Sequence, residues 1–170
     1  MRFGNTSGMT LDQAALTFAF WLHMGSTIVW IGGLFYQAVV VSPALERAPA
    51  ERGRLADDMR RRFQPLAWLS LLILIGTGLF QMSGNPNYEG LFAFSSPWSR
   101  AIFTKHIAVG LMILVAAYQT WVINPRLSRL ALKQDVEASD KLAGEITLLN
   151  RLSLVVGILI LGLTALARTA

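Results

Sequence analysis

The chain has 170 residues, of which 54% are hydrophobic and only 15% charged, and its mean hydropathy is +0.48. A soluble domain carries about 25% charged residues, so a soluble globular enzyme and a disordered chain are both excluded. The formal charge of +5 is the bias expected of the basic loops of a membrane protein, and no nucleic acid is expected as a partner.

The apolar residues are clumped into four stretches, about Ala14–Val41, Pro65–Met82, Ala101–Ile123 and Leu148–Ala167. Each comes close to or exceeds the ~20 residues that a helix needs to cross a bilayer. The expected fold is therefore all-α: a polytopic four-helix bundle forming one transmembrane domain over residues 1–170, with the lipid bilayer as its surroundings. Arg2 is the only early positive charge and the first apolar run is too long for a signal core, so the first span is expected to be retained.

An even number of spans puts both termini on one side and the connections Ser42–Gln64 and Asn124–Thr147 on the other. Arg47, Arg52, Arg54, Arg60, Arg61, Arg62, Arg126, Arg129, Lys133, Lys141 and Arg151 fall on the two-loop side. Arg2, Arg100, Lys105 and Arg168 fall on the side of the termini. By the positive-inside rule the two loops are cytoplasmic and the termini lie outside a plasma (inner) membrane. The loops have the mixed charge of solvated connectors, with Ala44–Arg62 spaced as a short amphipathic surface helix. In the connection Ser83–Ser99, Gly84-Asn85-Pro86-Asn87 and Ser96-Pro97 are turn signals, and Trp98 fits an interfacial anchor.

The chain also resembles itself. Tyr36-Gln37 and Pro43-Ala44-Leu45 at the end of span one recur as Tyr118-Gln119 and Pro125-Arg126-Leu127 at the end of span three, 82 residues later. Leu69-Ser70-Leu71 recurs as Leu152-Ser153-Leu154, 83 residues later. The pattern predicts two parallel two-helix repeats about a pseudo-two-fold axis along the membrane normal.

The only two histidines, His23 and His106, are 83 residues apart and fall at equivalent places in the two units. At 1.5 Å per residue each lies on the order of 10–13 Å below the outer surface. An ionisable side chain inside a membrane is a functional-site hypothesis by default, so the pair is a candidate metal or haem site. The alternative is two unrelated histidines bonded to neighbours such as Ser26, Thr27 or Thr104. With no cysteine in the chain, thiolate sites and iron–sulfur clusters are excluded, and imidazole suits zinc, copper and iron. Copper is poorly furnished with methionine, because Met24 and Met112 both lie off the histidine faces. Haem is favoured by geometry: Gly110, one turn after His106, would admit a porphyrin, and Arg100 and Lys105 are placed to meet its propionates. No carboxylate lies inside a span, since Asp12, Glu89 and Glu145 only flank them. Neither a hydrolytic triad nor a carboxylate proton relay is available. Gln37 and Gln119 are expected to hydrogen-bond between helices.

His23, Trp30-Ile31-Gly32-Gly33-Leu34-Phe35 and Pro43-Ala44-Leu45 together resemble the opening of the CopD-like (copper resistance protein D) membrane domain. Arg60-Arg61-Arg62-Phe63 leading to Gly76-Thr77-Gly78-Leu79 resembles its second helix, and Pro97-Trp98 with Lys105 the start of its third. The likeness covers about residues 15–168 and implies copper handling at the outer face. In plan the chain is also similar to the HemJ-type protoporphyrinogen oxidases, whose functional histidine and lysine match His23 and Lys105 and imply haem b. Those enzymes continue their first helix into an arginine-containing stretch where this chain has Tyr36-Gln37-Ala38-Val39-Val40.

The leading expectation is that His23 and His106 ligate one haem b near the outer face for electron transfer or redox chemistry, with redox partner proteins. The alternatives are a copper transport or resistance protein using the same histidines, and an accessory subunit of a larger membrane complex.

Overall fold

A computed structural model describes residues 11–47, 52–84, 90 and 96–169. Helix α1 spans Leu11–Tyr36 and passes through a π-helical segment, Gln37–Val41, into the short α2, Ser42–Glu46. Helix α3 runs Arg52–Ser83 and α4 Pro97–Tyr118. A second π-helical segment, Gln119–Ile123, leads into α5, Asn124–Leu132, and α6 spans Val136–Thr169. Four helical stretches are long and apolar enough to cross a membrane: Leu11–Glu46, Gly53–Ser83, Trp98–Leu130 and Val136–Leu166.

These helices outrun the apolar stretches read from the sequence. The connectors at 42–64 and 124–147, read as solvated, are helical over most of their described length, because charged sequence continues a helix once the membrane span has nucleated it. The N-terminal turns of α3 show how: Asp57 pairs with both Arg60 and Arg61, three and four residues on, the spacing that places side chains together on a helix face. Pro65 falls inside α3, where it withdraws an amide donor as the charged turns give way to the apolar span. The turn at Asn85-Pro86-Asn87 lies outside the described residues.

Helix starts and stops follow local chemistry. Ser96 caps α4: its side chain accepts from the Ser99 amide, the Ser99 hydroxyl accepts from the Ser96 amide, and Pro97 takes the first helical position. The missing amide of proline costs nothing there. The link from α5 to α6 turns on Gln134, whose φ of 57° reverses the chain before the Asp135 carboxylate accepts from the Ala138 amide.

Both π-segments begin at the glutamine of a Tyr-Gln pair and stop just before a proline. In each, an amide bonds the carbonyl five residues back, Ser42 to Gln37 and Asn124 to Gln119. A proline in a helix clashes with the carbonyl four residues earlier and offers it no donor. The wider π turn accommodates Pro43 and Pro125, and the Ser42 hydroxyl adds a bond to the Gln37 carbonyl at 2.9 Å.

Helix α1 packs along α3 and α4 along α6, and α1 also touches α6. The apolar centre takes a side chain from every span: Trp30 and Leu34 from α1, Leu71 from α3, Met112 from α4 and Ile160 from α6. At the edge of this cluster the Trp68 indole stacks on Trp121 and donates to Thr120. Most other large apolar side chains, Phe18, Trp21, Ile28, Leu72, Leu114 and Leu159 among them, point outward, as a lipid-facing surface requires. Trp98, expected as an interfacial anchor, is instead buried beneath the first turn of α4 with only 8% exposed.

Candidate functional site

In the half of the bundle that contains the start of α4, a polar seam joins α1 to α3. Gln81 donates its side-chain amide to the Ala19 carbonyl at 3.2 Å. One turn along both helices, His23 Nδ1 lies 2.8 Å from Thr77 Oγ1. Thr77 Oγ1 is itself 2.6 Å from the Ile73 carbonyl of its own helix. The ring is next to Gly78 of α3, where an added Cβ would stand 3.4 Å from His23 Cε1, an ordinary contact distance. Lys105, from the third span, is half-buried on α4 in the same half of the bundle. An imidazole from α1 and a hydroxyl from α3 therefore meet within an apolar bundle, where each polar group needs a partner.

His106 is placed differently. Its Nδ1 lies 2.7 Å from the Ile102 carbonyl, one turn back on its own helix. As the residue after Lys105 it projects about 100° around α4 from that lysine. A ligand shared by both histidines would need spans one and three to face each other, whereas the extensive pairings are α1 with α3 and α4 with α6. The neighbours proposed for the histidines from sequence also differ. Thr27 and Thr104 return their hydroxyls to the carbonyls of His23 and Arg100 on their own helices, and the side-chain partner of His23 is Thr77. Nothing in the sequence marked Thr77 as that partner, since Ser70 places a second hydroxyl in the same apolar span.

The remaining candidates are scattered. A methyl group at Gly110 would meet nothing within 4 Å. Arg100 is exposed on the first turn of α4. Met24, adjacent to His23, is 65% exposed, whereas Met112 is buried in the apolar centre. Among the described residues no three or more His, Cys, Asp or Glu side chains gather into one cluster. The soft donors on offer are thus imidazoles, with two buried thioethers, Met82 and Met112. That set suits copper better than hard cations, which take oxygen ligands.

A second polar layer crosses the opposite half. The Gln119 amide donates to Asn150 Oδ1 at 3.0 Å, and Asn150 Nδ2 donates to Gln37 Oε1 at 3.2 Å. The two glutamines do bond between helices, through Asn150, which nothing in the sequence had singled out. Beside them Tyr118 donates to Glu145 at 3.3 Å.

Among known proteins, neither the curated sequences nor the solved structures contain a match. Residues 57–167 match the family described as copper resistance protein D. That match takes in three of the four spans and His106 and begins after α1, so His23 lies outside it. It favours copper over haem b, and it lends no support to the likeness to HemJ-type oxidases. Covering about two thirds of the chain, it establishes that this protein is a member of the CopD family, a multi-pass membrane protein of the copper resistance protein D type.

Proposed function

We propose that the protein moves copper into or across the bilayer, with His23 and His106 as the imidazoles that the ion meets in the outer half of the bundle. The observation that carries this reading is the seating of His23. A histidine inside an apolar span, held by a hydroxyl of the neighbouring helix, belongs to a chain whose family is described by copper resistance. Metal-binding imidazoles characteristically have their second nitrogen tied down in this way. The placement of the termini outside and the arginine-rich loops inside, from the positive-inside rule, would open the His23 end to the outer compartment.

The test is copper-dependent growth and cell-associated copper in a strain lacking the gene, complemented by the wild type, His23→Ala or His106→Ala. Wild type restores the copper phenotype and the His23 variant does not. Full complementation by both variants would overturn the reading. So would a protein that purifies with stoichiometric haem b whose bands vanish in the same variants.

A further inference from the structure

The Thr77 hydroxyl has one proton and two neighbours. At 2.6 Å from the Ile73 carbonyl, that proton must lie between the two oxygens, because a carbonyl only accepts. The Leu74 carbonyl at 3.5 Å competes weakly for the same proton. Towards His23 Nδ1, 2.8 Å away, the Thr77 oxygen can then only accept, so the proton of that bond comes from the ring. His106 arrives at the same state more simply, its Nδ1 donating to the Ile102 carbonyl at 2.7 Å.

We propose that Thr77 is a positioning residue that holds His23 with its proton on Nδ1, so that Nε2 is the nitrogen His23 offers to a copper ion. On this assignment the Thr77 hydroxyl selects the nitrogen that faces α3 and leaves the other free. The copper half of this assignment rests on the function proposed above. The tautomer half does not.

The experiment separates them. Metal-free protein carrying 15N-labelled histidine and a histidine-free tag is examined by NMR in detergent micelles, at a pH where the ring is neutral. The His106→Ala background leaves His23 as the only signal. Nδ1 should be the protonated nitrogen, and Thr77→Val, which keeps the shape and removes the hydroxyl, should shift the ring towards a mixture of tautomers. Thr77→Ser should restore the wild-type spectrum. Copper(I) affinity of the otherwise wild-type protein, by competition with a chromogenic chelator, should fall about 10–100-fold in Thr77→Val, the usual effect of losing such a support, and recover in Thr77→Ser. A wild-type spectrum with the proton on Nε2, or one unchanged by Thr77→Val, overturns the positioning role whatever copper does. A tautomer that shifts while copper affinity stays constant leaves the positioning role intact and removes His23 from the copper path.

Discussion

Two adjacent glycines on α1 should respond in opposite ways to the same substitution. A Cβ at Gly33 would overlap Cζ and Cε2 of Phe63 on α3, whereas a Cβ at Gly32 meets nothing within 4 Å. Gly33→Ala therefore forces the aromatic ring off its seat, an overpacking cost of about 1–3 kcal/mol. Against this, alanine is the better helix former by about 0.8–1 kcal/mol. The net cost of Gly33→Ala is about 0–2 kcal/mol, and Gly32→Ala should be neutral or stabilising by up to ~1 kcal/mol. The neighbours should thus differ by about 1–3 kcal/mol, the overpacking term alone. In a Phe63→Ala background the Gly33→Ala cost should disappear, because the double-mutant cycle isolates the pair. Unfolding by SDS in mixed micelles, followed by fluorescence of the five tryptophans, measures all five proteins. If Gly33→Ala were as stable as Gly32→Ala, or cost as much without the Phe63 ring as with it, the keyed packing of α1 on α3 would be wrong.

Two further expectations use the same preparation or simple labelling. Asn150→Ala removes both bonds that tie Gln37 to Gln119 and should cost about 1–2 kcal/mol in the micelle assay, the upper part of the range for hydrogen bonds between membrane helices; an unchanged midpoint would show that the amide layer holds nothing together. Because the chain has no cysteine, single cysteines at the exposed Arg62 and Ser128 positions report sidedness directly. Both should resist an impermeant thiol reagent in intact cells and react after permeabilisation, and labelling of intact cells would invert the proposed orientation.

The four spans were legible because hydropathy over some 20 residues is a large, additive signal. Their extensions were not, since Arg52–Gln64 and Val136–Thr147 are polar, and a polar stretch declares helix only through pairs such as Asp57 with Arg60, which look the same in a solvated loop. His23 stood out by its chemistry, an ionisable group in an apolar run. Its partner Thr77 did not, because a threonine satisfied by its own helix is common in membrane spans, and the pairing depends on which helix lies beside α1. Sequence symmetry placed the two histidines at equivalent points of the two repeats, whereas the helices pair most extensively as one with two and three with four. Shared depth along the membrane normal says nothing of who neighbours whom around it. Trp98 illustrates a different limit: an aromatic next to a helix start fits equally an interfacial belt and the buried underside of the first turn, and only packing decides.

The paired π-segments have a consequence for how faces are assigned along this chain. A π turn holds one residue more than the α-helix allots to the same rise, so every side chain beyond it is turned by about 100° relative to an uninterrupted helix. A helical wheel drawn through Leu11–Glu46 or Trp98–Leu130 therefore blurs two different phases. The stripe of Trp30 and Leu34 that enters the bundle does not continue in register into Pro43 and Leu45, nor that of Met112 into Leu127 and Leu130. Deleting a single residue within Gln37–Val41 or Gln119–Ile123 would allow ordinary α bonding and rotate everything beyond. The two Gln-to-Pro corners thus act as rotational set points, fixing which way the charged extensions of spans one and three face.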